Sequence, residues 1–106
     1  MIIENTLSPQ DCAGMSDIRA EIDMLDEHII KLIAQRFAYV KAAAKFKTSP
    51  DAVRAKERFE AMLQQRRAWA DEQGLSPEVI EKMYRDLVNY FIGEEMKHWS
   101  RENGEK

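Results

Sequence analysis

An apolar stripe runs through the first half of the chain, from Ser16 to Lys47, without a glycine or a proline to interrupt it. Apolar residues recur there in steps of three and four, the spacing that places side chains on one face of an α-helix. They are Ile18, Ile22, Leu25, Ile29, Leu32, Ile33, Val40, Ala43 and Ala44. The pattern predicts one unbroken helix from about Ser16 to about Lys47, with Ser16 as its N-cap.

The length of this helix conflicts with the size of the chain. About 30 helical residues extend for ~45 Å, whereas a compact chain of about 100 residues is only ~35 Å across. The chain has 106 residues, so part of the apolar stripe is left uncovered by its own chain. A second copy is the simplest cover, and we expect a symmetric, intertwined homodimer. A bent helix in a monomeric bundle is the alternative.

Two further helices are predicted by their start signals. Ser49-Pro50-Asp51 and Ser76-Pro77-Glu78 each supply a serine N-cap, a proline at the first helical position and an acid behind it. The second helix is expected to continue through Ala70, with Gly74 just beyond its end. The third continues through Trp99 to a polar end. We therefore predict an all-α chain with three helices and a long first helix, arranged as a single domain over residues 16–106. An irregular arm, residues 1–15, precedes it.

Composition excludes several classes of protein. With 4 Gly and 3 Pro the chain lacks the turns of a β-sandwich, and its net charge of -3 disfavours a general nucleic-acid binder. The single cysteine, Cys12, excludes an internal disulfide framework. No apolar run reaches the ~18 residues of a membrane span, and the first residues lack a signal-peptide core. A cytoplasmic protein without nucleic-acid or membrane partners is the expectation.

Positive charges interrupt the apolar face of the first helix. At 100° per residue, Arg36 and Lys47 project on the same side as Ile22, and Arg19 lies at its edge. A buried, unpaired charge is costly, so such cations need an anionic ligand or a carboxylate of the protein. The structural alternative is an ion pair with another helix, or, for Lys47, extension into solvent from the helix end.

A carboxyl group interrupts the apolar face of the third helix. Tyr84, Val88, Phe91 and Glu95 follow one another at helical spacing, which places Glu95 on a largely apolar face. It is either the salt-bridge partner of a core-facing cation or a functional carboxyl, whose pKa burial raises and nearby positive charge lowers. Glu95 and His98 also have the Glu-x-x-His spacing of di-iron bundles, but the chain lacks a second such pair, so no metal site is predicted.

These segments resemble the all-helical chorismate mutase family, over nearly the whole chain. The first helix, DIRAEIDMLDEHIIKLIAQRFAYVKAAAKFK, carries the family's frame of Arg19, Arg36 and Lys47. The isochorismate-pyruvate lyase branch is favoured by DCAG before DIR, by ERFEAML and RAWADEQGL, and by EEMKHW near the end.

The resemblance implies an intertwined dimer with two equivalent, shared active sites. Arg36 and Arg19 of the partner subunit are expected to hold the two carboxylates of the substrate. Lys47 is expected over its ether oxygen, on a loop or helix end that closes, and Glu57 at its hydroxyl group. Glu95 stands where lyases and many mutases carry glutamine, a hydrogen-bond donor to the ether oxygen. Since a carboxylate cannot donate, Glu95 would act in its protonated form.

The implied reaction is the conversion of isochorismate to salicylate and pyruvate, a cofactor-free pericyclic elimination used in salicylate and siderophore biosynthesis, with weak chorismate mutase activity beside it. A dedicated chorismate mutase and a non-catalytic helical dimer remain as alternatives.

Overall fold

The computed structural model describes the backbone of residues 6–102 and the side chains of residues 6–101. The ends of the predicted arm and of the polar tail lie outside the described residues. The elements are a 3₁₀ turn at Pro9–Asp11, α1 at Met15–Ala43, a 3₁₀ turn at Ala44–Phe46, α2 at Pro50–Arg54, α3 at Lys56–Glu72 and α4 at Pro77–Glu102. All the regular secondary structure of the described residues is helical, so the predicted all-α class with a long first helix is confirmed.

The long helix differs from its prediction at both ends. Its N-cap is not Ser16, because the Gly14 carbonyl already accepts the first helical bond, from the Ile18 N–H at 3.2 Å. The Asp17 carboxylate accepts from the Ala13 N–H at 2.9 Å, which ties the arm to the first turn. At the other end, α1 stops at Ala43 and Lys47 has extended backbone. The prediction that Lys47 lies in this helix, on its apolar face, is therefore wrong. Arg36 does lie within α1, as its prediction assumes.

The chain divides into two compact units, the first ending at Ala38 and the second beginning at Tyr39. In the first unit the arm packs on α1 through Glu21, which is only 8% exposed and accepts a hydrogen bond from the Leu7 N–H. Two isoleucines of the predicted stripe in this part of α1, Ile22 and Ile29, are 50% and 49% exposed, and Ile30 next to the stripe is 66% exposed. Part of the predicted apolar stripe is therefore open to solvent.

The second unit contains the apolar core. α4 packs against α3, against α2 and against the 3₁₀ turn at Ala44–Phe46. The buried apolar side chains come from all of these elements and are Ala44, Val53, Met62, Leu63, Ala70 and Phe91. Phe91 and Leu63 are among the largest fully buried side chains, so their contact surfaces are expected to dominate the stability of this unit.

The second predicted helix is divided in two. Ser49 caps α2 as predicted, since its Oγ accepts from the Ala52 N–H at 3.1 Å and Pro50 follows at the first helical position. Helix α2 then ends at Ala55, which has a left-handed backbone with φ 42°. Ala55 also serves as the N-cap residue of α3. The sequence does not reveal this break because alanine is the best helix former.

The hairpin between α3 and α4 follows its prediction closely. Gly74 has φ 76°, and the N–H of Leu75 bonds back to the Ala70 carbonyl at 2.8 Å, which is the hydrogen bond of a Schellman C-cap. Ser76 caps α4, with the Val79 N–H 3.3 Å from its Oγ. Across the hairpin, Glu81 accepts from Arg67 at 2.9 Å, and within α4 it also accepts from Arg85 at 3.0 Å.

No helix in the described part of the chain is both long and apolar enough to span a membrane.

Candidate active site

Lys47 lies in the short connection between α1 and α2, and all its polar groups have a neighbour. Its backbone N–H donates to the Ala44 carbonyl at 3.1 Å, and its own carbonyl accepts from the indole Nε1 of Trp99 at 3.0 Å. The ammonium Nζ donates to the Ala52 carbonyl at 3.0 Å. The side chain remains 25% exposed, so the ammonium group is held in place but still open to a ligand.

Glu95 lies opposite this ammonium group, on the face of α4 that the sequence predicts. The residue is 4% exposed, and its Oε2 is 3.9 Å from the Lys47 Nζ. That separation is too long for a hydrogen bond, which for charged pairs is about 2.8 Å. Among the described residues, Oε2 has no hydrogen-bond partner. The predicted ion pair therefore forms only as a loose contact. The buried Oε2 atom is left without a hydrogen-bond partner in the part of the chain that the structure describes, and can accept a hydrogen bond, or donate one when it is protonated.

Burial makes the carboxyl of Glu95 a weaker acid. Removal from water raises the pKa of its carboxyl above the ordinary value of 4.5, and the nearby Lys47 lowers it by a smaller amount. The net direction is upward because desolvation penalises only the ionised form, whereas the lysine is at the limit of ion-pair distance. A protonated Glu95 presents an O–H donor next to a cation. This pair is suited to an oxygen that gains negative charge.

The other predicted site residues lie on different elements. Arg19 is exposed and Arg36 is half-buried, and both belong to α1 in the first unit. Glu57 is exposed in the first turn of α3, directly after the left-handed Ala55. The structure thus brings Lys47 and Glu95 together. The predicted roles of all five residues remain proposals.

A concave region of about 230 Å³ lies at the hairpin between α3 and α4. There the guanidinium of Arg66 lies 4.6 Å from the ring centre of Trp69 and 5.7 Å from that of Tyr84. The residues that line it are Arg66, Trp69, Ala70, Gln73, Leu75, Ile80 and Tyr84. None of these described residues is an acid, so this region lacks the carboxyl and ammonium pair found at Lys47.

Comparison with known proteins identifies the family. The sequence profile of the family described as Chorismate mutase type II matches residues 18–96. That span includes Arg19, Arg36, Lys47, Glu57 and Glu95. The chain belongs to the type II chorismate mutase family. Within it, the chain is similar to the isochorismate pyruvate lyase of Pseudomonas aeruginosa, with 40% identity over 97 residues, which are 92% of this chain and 96% of that protein. It is also 40% identical to the T-protein of Haemophilus influenzae over 76 residues, which are 71% of this chain and 20% of that protein.

Two features of this type II chorismate mutase homologue are missing from the sequence prediction. The Ala52 carbonyl that binds Lys47 is a backbone group, so no side-chain pattern reveals it. The indole of Trp99 is different, because it lies one helical turn after Glu95 and therefore on the same face of α4. That spacing is visible in the sequence, but the apolar pattern of the third helix accounts for it equally well.

The alternative of a metal at Glu95 and His98 needs further ligands. Among the described residues, no group of three or more histidine, cysteine, aspartate or glutamate side chains lies close enough together to hold a metal ion.

Proposed function

We propose that this protein is an isochorismate-pyruvate lyase, which converts isochorismate to salicylate and pyruvate. Its 40% identity to a protein of that name over 92% of the chain supports this assignment. The observation that carries the ether-cleaving chemistry is the placement of the Lys47 ammonium 3.9 Å from the buried carboxyl of Glu95. The enzyme needs no cofactor for this reaction, and a cytoplasmic role in salicylate and siderophore biosynthesis belongs to the same proposal.

The reaction breaks the ether bond between the ring and the enolpyruvyl group. As that bond breaks, a ring hydrogen moves to the enolpyruvyl methylene carbon, the ether oxygen becomes the ketone oxygen of pyruvate, and the ring becomes aromatic. Negative charge grows on the ether oxygen in the transition state. Donors already aimed at that oxygen lower the barrier because they need no reorganisation during the reaction.

Each site residue has a defined task in this proposal. Lys47 places its positive charge at the ether oxygen, and protonated Glu95 donates a hydrogen bond to the same atom. Arg36 and Arg19 of the partner subunit hold the two carboxylates by bidentate pairing. Glu57 accepts from the substrate hydroxyl. Together they select the reactive conformer of a flexible substrate, which reduces the entropy lost on reaching the transition state.

The shared site requires a homodimer. Arg19 and Lys47 are 28 positions apart in sequence, and the 24 positions from Arg19 to the end of α1 at Ala43 alone extend for about 36 Å, far more than a small dicarboxylate spans. An Arg19 supplied by a second copy removes this conflict. The exposed isoleucines of α1 support a dimer, because association would remove their apolar surface from water.

A chorismate mutase is the second candidate, favoured by the family description that matches residues 18–96. Both reactions break the same kind of ether bond, so the same cations serve either one. The two are separated by assaying the purified protein with isochorismate and with chorismate. We expect fluorescent salicylate from isochorismate and slower formation of prephenate from chorismate. Prephenate as the main product would favour the mutase, and neither product would favour a non-catalytic dimer.

A further inference from the structure

Lys47 is fixed at its backbone as well as at its ammonium group. The connection in which it lies has only three residues between the 3₁₀ turn at Ala44–Phe46 and α2 at Pro50–Arg54. Within that connection, the Lys47 carbonyl accepts a hydrogen bond from Trp99. The donor and acceptor are 52 positions apart in sequence and 3.0 Å apart in space. This bond therefore ties the connection to the C-terminal half of α4.

Trp99 and Glu95 act on the same lysine from one face of α4. They are one turn apart, and each contacts a different part of Lys47. The indole N–H donates to its carbonyl, and the carboxyl faces its ammonium group. Buried Phe91 lies one further turn along the same face and anchors this part of α4 in the core. The geometry between Glu95 and Lys47 thus depends on how the backbone of Lys47 is held against α4.

We propose that Trp99 is a positioning residue, whose indole N–H holds the Lys47 backbone so that the ammonium group stays opposite Glu95. Trp99 lies outside residues 18–96, the span matched by the family profile. The consequence for catalysis rests on the function proposed above. A lysine side chain has four flexible carbon–carbon bonds, so a displaced backbone lets its charge move away from the reacting atom. A misplacement of about 1 Å at a reacting centre costs on the order of 100-fold in rate.

The first experiment replaces the indole by a ring without an N–H. Trp99→Phe keeps an aromatic side chain in place and removes the donor to Lys47. We expect kcat with isochorismate to fall about tenfold, the effect typical of one lost hydrogen bond, while KM changes less than about twofold. Trp69→Phe is the matched control, because Trp69 lies on α3 at the hairpin and is 47% exposed. It should retain the wild-type kinetics.

The second experiment separates positioning from general stability. If Trp99 acts through the lysine, Trp99→Phe should not slow Lys47→Ala any further, although it slows the wild type about tenfold. A purely structural role would multiply the two losses and would overturn the proposal.

The third experiment does not depend on catalysis. Competitive acetylation followed by mass spectrometry compares the reactivity of each lysine. We expect Lys47 to react about fivefold faster in Trp99→Phe than in the wild type, because its amine loses a fixed and partly shielded position. Lys82, at 79% side-chain exposure, should not change. If the wild type has no lyase activity but Lys47 is labelled faster in Trp99→Phe, the proposed function is refuted and the positioning role is not. An active wild type with unchanged kcat and unchanged Lys47 labelling in Trp99→Phe would refute the positioning role.

Discussion

At the scale of single residues, the carboxyl group of Glu95 makes the proposed reaction sensitive to pH. An amide donates a hydrogen bond at any pH, whereas a carboxyl donates only when protonated. Burial raises the pKa of Glu95, which extends the pH range in which the donor exists. A bound dicarboxylate adds negative charge nearby and acts in the same direction.

We expect the lyase activity of the wild type to fall as pH rises through the pKa of Glu95. In Glu95→Gln the donor does not titrate, so activity should persist into the alkaline range and exceed that of the wild type there. The measurement is kcat against pH for both proteins on isochorismate and chorismate. Glu94→Gln is the control, because Glu94 pairs with Lys97 at 3.2 Å on the surface of α4. A profile that stays the same in Glu95→Gln would identify Glu95 as a structural partner of Lys47 only.

The same substitution has an effect on stability that needs no substrate. Because the folded state raises the pKa of Glu95, it binds more protons there than the unfolded state, and wild-type stability falls as pH rises above 4.5. Glu95→Gln removes this loss, because glutamine does not ionise. We therefore expect a higher Tm than the wild type at neutral pH, measured by thermal unfolding. The difference should vanish in acid, and a mutant destabilised at neutral pH would contradict this.

At the scale of elements, the left-handed Ala55 determines where Lys47 can form its hydrogen bond. Helix α2 has only five residues, so Ala52 belongs to its last turn. Carbonyls in the last turn of a helix have no amide above them to accept from. The Ala52 carbonyl instead accepts from the Lys47 ammonium. A continuous helix from Pro50 to Glu72 would use that carbonyl internally and leave the lysine without this acceptor.

Ala55→Gly tests the energetic cost of this break. A left-handed backbone destabilises a residue with a Cβ by about 1–2 kcal/mol, a cost that glycine avoids. Glycine in turn loses more conformational entropy on folding, which destabilises the folded state by about 0.5–1 kcal/mol. We therefore expect a net stabilisation of roughly 0.5–1 kcal/mol in urea unfolding. Ala61→Gly, at an exposed helical position of α3, should instead destabilise by about 1 kcal/mol. Equal destabilisation by both would show that Ala55 carries no strain.

The sequence predicts those parts of the fold that depend on local signals. The serine and proline starts of α2 and α4, the glycine after α3 and the long α1 all follow from residues next to one another in sequence. The break at Ala55 and the early end of α1 do not, because alanine and lysine are good helix formers and the packing of α4 overrides them. For the site, helical spacing correctly places Glu95 on a buried face. It does not give the 3.9 Å approach of Lys47, which depends on contacts between distant segments.

At the scale of the whole molecule, a shared active site makes a prediction that a site within one chain does not. Arg19→Ala and Lys47→Ala should each be nearly inactive alone. In a mixed dimer, one site combines the intact Lys47 of one chain with the intact Arg19 of the other. Unfolding and refolding the two variants together in equal amounts should therefore restore about a quarter of the wild-type activity.

The control for this experiment is a mixture of the same two variants combined without unfolding, which should show slower recovery. A site built within a single chain would give no recovery under either condition, because every chain then lacks one of the two residues. That outcome would refute the shared site while leaving the lyase activity of the wild type unaffected.

The uncovered isoleucines of α1 also determine how such an enzyme behaves on dilution. If a second copy of the chain covers them, association of the two copies is second order in chain concentration. Dilution then favours separate, inactive chains. Velocity then follows the concentration of assembled pairs rather than of total protein. Well below the dissociation midpoint, doubling the protein would raise the velocity about fourfold, and well above it only about twofold. A cell that makes little of this protein would obtain disproportionately little of its activity.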